Sequence, residues 1–266
     1  MKILLIGDVI GRPGRVILER ELIRLREERH IDLVIANCEN VAGGAGVTPS
    51  TADDLFRAGV DALTSGNHVW RKKEAYELLK LDPRVIRPAN YPETSPGSGS
   101  TVVETLDGQK VGVLNVMGRV FMEPLDCPFR AAERELVRLK MVTPVIIVDM
   151  HAEATSEKVA MGWFLDGKVS CVFGTHTHIP TADERILPQG TAFITDVGMT
   201  GPYDSVIGRR VDQILERFLT SLPHKSDVAE GNVQLRGLLI EVNPKNGKAL
   251  SVERITKTLD EPIRDS

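Results

Sequence analysis

Short apolar runs that alternate with amphipathic helical segments are the feature that most constrains the fold of this chain. The runs are rich in Val, Ile and Leu and are bounded by Gly, Asn, Asp or Pro, which is typical of strands buried on both faces. We predict strands at Lys2–Asp8, Asp32–Asn37, Asp61–Ser65, Val85–Arg87, Pro144–Asp149, Val169–Phe173 and Thr191–Thr195. We predict helices at Gly14–Arg29, Ser50–Ala58, Lys72–Leu79, Phe129–Lys140, Ser156–Phe164 and Val211–Leu219. This alternation indicates an α/β protein with largely parallel strands.

Two dipeptides interrupt the alternation and add antiparallel strands. Asp107-Gly108 and Asn246-Gly247 favour the positive φ angles of tight hairpin turns, so the sheets are expected to be mixed. The chain of 266 residues contains no internal repeat and no long linker, and we expect a single domain over 1–266.

Composition excludes several classes of function. A formal net charge of −4 and only twelve aromatic residues (2 Trp, 3 Tyr and 7 Phe) argue against broad, direct nucleic-acid binding. No run approaches eighteen apolar residues, so we expect no membrane-spanning segment. We expect a cytoplasmic location. Cys38, Cys127 and Cys171 are odd in number and widely spaced, which favours free thiols over a disulfide framework.

Polar side chains of the kind that bind metals follow five of the apolar runs. Because the carboxyl ends of strands in an α/β sheet line a common crevice, we expect these side chains to meet at one site. They are Asp8, Glu39, Asn40, Asn67, His68, His151, His176 and His178.

Each of these residues also has a structural interpretation when it is taken alone. Asp8 is suited to cap a helix, and Glu39 could be paired with an arginine to offset its desolvation. Asp149, two residues before His151, could orient a histidine rather than bind a metal, and the sequence leaves that open. His176 and His178 are spaced i, i+2, so on an extended segment they would point to one face.

The order of these motifs resembles the calcineurin-like metallophosphoesterases. The motifs are GDV at 7–9, NCEN at 37–40, GNH at 66–68, a strand-end histidine at 151 and GTHTH at 174–178. The chain departs from that superfamily with Ile10 in place of a histidine ligand and Glu39 in place of the bridging aspartate. Both departures, together with DMHAEATSEK, GTHTHIPTAD and ITDVGMTGPYDS, resemble the bacterial YmdB-like branch, which is regarded as a branch of cyclic-nucleotide phosphodiesterases.

The resemblance implies a layered α/β/β/α sandwich with mixed sheets and a dinuclear metal centre. One ion would be held by Asp8, Glu39, Asn40 and His178, and the second by Glu39, Asn67, His151 and His176. Oxygen and imidazole ligands without a thiolate suit iron, manganese or zinc, and the resemblance favours iron.

Charge and chemistry then predict a reaction. Two divalent ions against two carboxylates leave a surplus of about two positive charges, which favours a phosphodiester anion as substrate. We expect attack by a metal-bridging hydroxide, with His68 donating a proton to the leaving oxygen. The expected substrates are small cyclic nucleotides, with 2′,3′ or 3′,5′ phosphates.

Other functions are compatible with parts of the sequence. They are a broad-specificity phosphomonoesterase, a mononuclear iron oxygenase with two histidines and one carboxylate, and a regulatory protein of RNA metabolism with a structural metal site. A homo-oligomer formed through the C-terminal antiparallel strands is also compatible with the pattern.

Overall fold

Two mixed β-sheets face each other, and helices cover their outer faces. The computed structural model describes residues 1–259. The elements in chain order are β1 (Lys2–Ile6), β2 (Asp8–Val9), α1 (Gly11–Arg29), β3 (Leu33–Asn37), α2 (Pro49–Arg57), β4 (Ala62–Thr64), a 3-10 turn (Val69–Arg71), α3 (Ala75–Leu81), β5 (Ser100–Glu104), β6 (Lys110–Met117), α4 (Pro128–Leu139), β7 (Ile146–His151), α5 (Thr155–Leu165), β8 (Cys171–Thr175), β9 (Arg185–Ile186), β10 (Ala192–Ile194), β11 (Met199–Pro202), α6 (Val211–Thr220), β12 (Val233–Val242) and β13 (Ala249–Thr258).

The strand order places the carboxyl ends of the parallel strands at a common edge of each sheet. The first sheet has the order β2-β11-β12-β1-β3-β4, with β13 paired to β12, and β1, β3 and β4 are parallel. The second has the order β5-β6-β7-β8-β10-β9, in which β6, β7, β8 and β10 are parallel. Helices connect the parallel strands β1 to β3, β3 to β4, β6 to β7 and β7 to β8, as the alternation in the sequence predicts, whereas β8 and β10 are joined without a helix.

The apolar side chains form three layers, which confirms the predicted α/β/β/α sandwich with mixed sheets. The middle layer lies between the sheets and contains Ile3, Leu5 and Ile35 from the first sheet and Ile147 and Phe173 from the second. A second layer joins the first sheet to α1, α2 and α3, and a third joins the other sheet to α4 and α5.

Both predicted hairpins are present, but one predicted strand is wrong. Gly108 and Gly247 adopt φ values of 80° and 72° in the turns between β5 and β6 and between β12 and β13. The segment 85–87 contributes only a single bridge between Val85 and Leu63. It does not continue beside β4 because the backbone N–H of Arg87 donates to Ser98 O instead and Pro88 has no N–H to donate.

The cysteines and the helices agree with what the composition predicts. All three cysteines are free; Cys38 and Cys171 are buried, and Cys127 is partly exposed. None of the helices within residues 1–259 is both long and apolar enough to cross a bilayer.

The segment 195–198 joins the two sheets at the edge where the polar residues lie. A Cβ atom on Gly7, after β1, would lie 1.7 Å from Gly198 O, and one on Gly174, in β8, would lie 1.7 Å from Thr195 O. Any side chain at either position would therefore collide with backbone that packs against it. Glycine at 7 and 174 lets one segment contact both sheets.

We expect Gly174→Ala to lower the free energy of unfolding by about 3 kcal/mol or more, because the added methyl group would displace the Thr195 backbone. Gly112→Ala is the matched control, since a Cβ there lies no closer than 3.3 Å to its neighbours, and a change under about 1 kcal/mol is expected. Urea denaturation of both variants measures the difference. Equal free energies of unfolding for the two variants would contradict the close contact between Gly174 and the Thr195 backbone.

Candidate metal centre

The eight polar residues predicted from strand ends lie together at the edge where the two sheets meet. Asp8, Glu39, Asn40 and His151 are buried, with at most 1% of each residue exposed. They come from the ends of β1, β3 and β7, so both sheets contribute. Their ligand atoms fall into two overlapping groups that share Glu39.

The first group contains Asp8, Glu39 and His178, whose ligand atoms lie within 4.8 Å of one another. His178 Nε2 is 3.8 Å from Asp8 Oδ1. The carboxamide of Asn40 lies between them, with its nitrogen placed 3.2 Å from His178 Nε2 and 3.0 Å from Glu39 Oε1. A half-turn of that carboxamide exchanges its nitrogen and oxygen and would direct Oδ1 into the group.

The second group is centred on His151. Its Nε2 is 3.1 Å from Glu39 Oε2, 3.1 Å from Asn67 Oδ1 and 3.1 Å from His176 Nδ1. Ligands at right angles on an ion with bonds near 2.1 Å lie about 3 Å apart, so this spacing fits one shared cation. Glu39 belongs to both groups, with Oε1 3.0 Å from the Asn40 carboxamide nitrogen and Oε2 3.1 Å from His151 Nε2, so its carboxylate joins the two.

Two observations test whether these residues fit cations. Asp8 Oδ1 is buried and has no hydrogen-bond partner among residues 1–259, a costly arrangement unless a positive group lies against it. A Cβ on Gly66 would lie 2.1 Å from His151 Nε2 and 2.3 Å from Glu39 Oε2, so glycine is needed for the backbone to approach the ligand atoms this closely. Both observations fit a metal centre.

Hydrogen bonds orient two of the imidazoles. His151 Nδ1 lies 2.8 Å from Thr175 Oγ1, which donates a 2.7 Å bond to Asp149 Oδ1. His178 Nδ1 lies 2.9 Å from the carbonyl oxygen of Ile207. In both residues this leaves Nε2 to face the group. Asp149 thus acts on His151 through Thr175, which the sequence reasoning did not identify although it stands within GTHTH.

The loop that carries His176 and His178 is not extended, so the predicted i, i+2 geometry is wrong. Their φ angles are 93° and 64°, and the two imidazoles enter different groups instead of one. The backbone N–H of Thr177, between them, donates to Asp196 Oδ2 at 3.2 Å, and its hydroxyl donates to the same oxygen at 2.6 Å. Lys158 Nζ forms a buried ion pair with that carboxylate at 2.7 Å. The Lys158–Asp196 ion pair thus holds the strained loop of His176 and His178 in place. The periodicity of the local sequence could not predict this conformation.

Burial and neighbouring charges shift the pKa values of the buried groups in this site. Although burial alone would raise it, the pKa of Glu39 is held well below its usual value by His151 and His68. Burial opposes the charged form of His151, yet Glu39 raises the pKa of His151 to about 9. Burial lowers the pKa of His176 to about 3, so it is neutral and able to ligate at pH 7. Burial raises the pKa of Asp8.

His68 lies at the opening of the site, with 28% of its side chain exposed. Its Nδ1 is 2.8 Å from Asn40 Oδ1 and 3.4 Å from Glu39 Oε1, and no residue in 1–259 hydrogen-bonds to its Nε2. Asn67 and His68 turn to different partners: Asn67 Oδ1 lies against His151, whereas His68 Nδ1 lies against Asn40, and the backbone of His68 has φ −87° and ψ 1°. Nε2 is left to face a substrate.

The chain is similar to known proteins along almost its whole length. The model of the YmdB-like protein family matches residues 4–255. A Bacillus subtilis relative named 2′,3′-cyclic-nucleotide 2′-phosphodiesterase is 47% identical over 255 residues and covers 96% of both chains.

Two solved structures share the fold. A hypothetical protein from Thermus thermophilus superposes with a TM-score of 0.91 at 42% identity, covering 97% of this chain and 99% of the other. A Mycoplasma pneumoniae protein described as a novel phosphatase gives a TM-score of 0.91 at 36% identity, covering 98% of this chain and 95% of the other.

The family match covers every motif on which the resemblance to the YmdB-like branch rests, from GDV at 7–9 to ITDVGMTGPYDS at 194–205. The named relatives are hydrolytic enzymes, so the prediction that this chain is an enzyme of that kind is confirmed. The chain belongs to the YmdB-like family of the metallophosphoesterase superfamily.

Proposed function

We propose that this enzyme is a dinuclear metal-dependent phosphodiesterase that hydrolyses small cyclic nucleotides, with 2′,3′-cyclic phosphates as its preferred class. The observation that carries the proposal is the pair of overlapping donor groups that share Glu39. The name of the Bacillus subtilis relative supports the substrate class. Iron is the favoured metal, with manganese or zinc as alternatives for the same donors.

The proposal gives each ion its own set of ligands. Asp8, Glu39, Asn40 and His178 would hold one, and Glu39, Asn67, His151 and His176 the other. When bound, two such ions supply a hydroxide nucleophile near neutral pH and positive charge for the phosphate oxygens. Asp8 and Glu39 are the only carboxylates in the two donor groups, so a net positive charge of about two remains to attract an anionic substrate.

His68 is the proposed proton donor. Hydrolysis of a 2′,3′-cyclic phosphate forms a new P–O bond to the oxygen of water and breaks the P–O2′ bond, and O2′ leaves with a proton. With the Asn40 carboxamide turned so that Oδ1 faces the first group, its nitrogen would donate to His68 Nδ1, and the imidazole proton would then be on Nε2, from which it can pass to O2′. Asn40 thus places the ring while the exposed edge faces the substrate.

The alternative reactions differ in what they require. A phosphomonoesterase is favoured by the description of the Mycoplasma pneumoniae protein as a phosphatase, and the same centre could serve it. A mononuclear oxygenase would use one donor group and leave the second without a role. A structural centre would not require a partly exposed imidazole such as His68 beside Asn40.

Activity profiling of the metal-loaded enzyme tests the reaction class. We expect kcat/KM for 2′,3′-cAMP to exceed that for 3′,5′-cAMP, because hydrolysis of its five-membered cyclic phosphate releases more ring strain. It should also exceed that for the monoester 3′-AMP, because the centre is proposed to act on a diester monoanion. Comparison of the three esters under the same conditions gives the ranking. Preferential hydrolysis of the monoester would replace the proposal with a phosphatase.

His68→Asn is expected to reduce kcat for 2′,3′-cAMP by about 10²–10⁴-fold with metal content unchanged. The loss should be smaller for bis(4-nitrophenyl) phosphate, whose leaving phenolate needs little protonation. His30→Asn is the matched control, because His30 is exposed at the end of α1. Unchanged kcat in His68→Asn would remove His68 from catalysis.

Metal uptake is expected to release a proton at pH 7–8. His151 has a pKa of about 9 without a cation, so it is protonated below that pH and must lose its proton before Nε2 can ligate. Apparent metal affinity should therefore fall as the pH falls below about 9. Calorimetric titration of metal-free protein in buffers of different ionisation enthalpy measures the protons released. Heats independent of the buffer would show that His151 does not bind as the neutral ligand.

A further inference from the structure

The turn formed by residues 119–122 leaves the carboxyl end of β6 beside the metal centre. β6 and β7 are parallel with Met117 opposite His151, and Gly118 N donates a 2.9 Å hydrogen bond to His151 O. Three residues span at most about 11 Å, so Phe121 lies within that distance of Gly118. Phe121 therefore lies on a short turn that begins directly beside the strand end carrying His151.

The same turn packs against the segment that follows His151. A Cβ on Gly118 would lie 2.6 Å from Ala152 Cβ, and the next residue, Glu153, places a carboxylate oxygen 3.2 Å from His176 Nε2. The residue that leads into the turn is thus adjacent to His151 and to the segment whose Glu153 contacts His176.

The backbone conformation of Phe121 and the exposure of its ring are not explained by packing within the protein. Its φ is 62°, a left-handed value that is strained for a residue with a Cβ, and its side chain is 89% exposed. Its neighbour Met122 packs against the core, whereas Phe121 takes part in none of the three apolar layers among the described residues. Both features are unfavourable for folding and point to a function for the ring.

The turn is fixed by a buried carboxylate. Glu157, in the first turn of α5 and 9% exposed, accepts hydrogen bonds from Arg119 N at 3.0 and 3.1 Å and from Val120 N at 3.1 Å. These bonds hold the backbone that presents Phe121, so little conformational freedom is lost when a flat ligand stacks on the ring.

Arg119 adds a cation to the same turn. Its guanidinium is in an exposed residue and makes no ion pair or side-chain hydrogen bond within residues 1–259. An aromatic ring and a free guanidinium on one rigid turn match a nucleoside phosphate, since bases stack on aromatic faces and guanidinium groups bind phosphate and hydroxyl oxygens.

We propose that the turn at 119–122 recognises the nucleoside of the substrate, with the ring of Phe121 stacked on the base of a cyclic nucleotide whose phosphate binds at the metal centre. This inference rests on the proposed phosphodiesterase function. It makes Phe121 the residue by which the enzyme distinguishes cyclic nucleotides from cyclic phosphodiesters that lack a base.

The test compares a substrate that has a base with one that lacks it. We expect the ratio of kcat/KM for 2′,3′-cAMP to that for glycerol 1,2-cyclic phosphate to fall by roughly tenfold or more in Phe121→Ala. Phe121→Trp should retain most of the ratio because it keeps an aromatic face. Phe218→Ala, at an aromatic side chain 73% exposed on α6, is the matched control and should leave the ratio unchanged. An unchanged ratio in Phe121→Ala, or a parallel loss on both substrates, would overturn the proposal.

A binding measurement separates this inference from the proposed function. Calorimetry on the metal-loaded protein compares 3′-AMP with inorganic phosphate, and Phe121→Ala is expected to weaken 3′-AMP binding by roughly tenfold relative to phosphate. If the wild-type enzyme hydrolyses neither cyclic ester, the phosphodiesterase proposal fails. The stacking proposal then stands on a selective loss of 3′-AMP binding and falls if both ligands bind the variant as they bind the wild type.

Discussion

The burial of two carboxylates without a lysine or arginine partner is the constraint on which the site depends. Asp8 and Glu39 are almost completely buried, and within residues 1–259 their only ion-pair partners are histidines. A buried carboxylate is strongly disfavoured unless positive charge offsets its lost hydration. Imidazolium can do this for Glu39, as the raised pKa of His151 shows, but Asp8 Oδ1 still lacks a hydrogen bond among the described residues. The cations that we propose between the donors would resolve both problems and would attract an anionic substrate.

The scaffold serves this constraint by bringing strand ends from two sheets to one edge. β1 and β3 place Asp8 and Glu39, while β7 and β8 place His151 and the loop of His176. Close packing at that edge requires glycine, because side chains at Gly7, Gly66 or Gly174 would collide with backbone or with ligand atoms. The segment 195–198 then contributes Asp196, which with Lys158 holds Thr177 between the two histidines. The same segment therefore packs the two sheets together and orients the donor residues.

Much of this could be predicted from the sequence because strand ends are local features. Apolar runs located β1, β3, β7 and β8, and the polar residues after them do converge. The predicted strand at 85–87 was wrong because the backbone N–H of Arg87 donates to Ser98 O and Pro88 has no N–H, so the pairing ends there. The left-handed backbone at His176 and His178 and the ion pair between Lys158 and Asp196 could not be predicted, since they depend on contacts between residues far apart in the chain. The role of Glu157 under the turn at 119–122 escaped prediction for the same reason.

Anomalous diffraction from crystals of the metal-loaded enzyme, with metal content measured on the same preparation, tests the central claim most directly. The account predicts two ions per chain, about 3.5–4 Å apart, with one oxygen donor of Glu39 facing each. A single ion per chain, or two ions with the Glu39 carboxylate turned away from them, would contradict it.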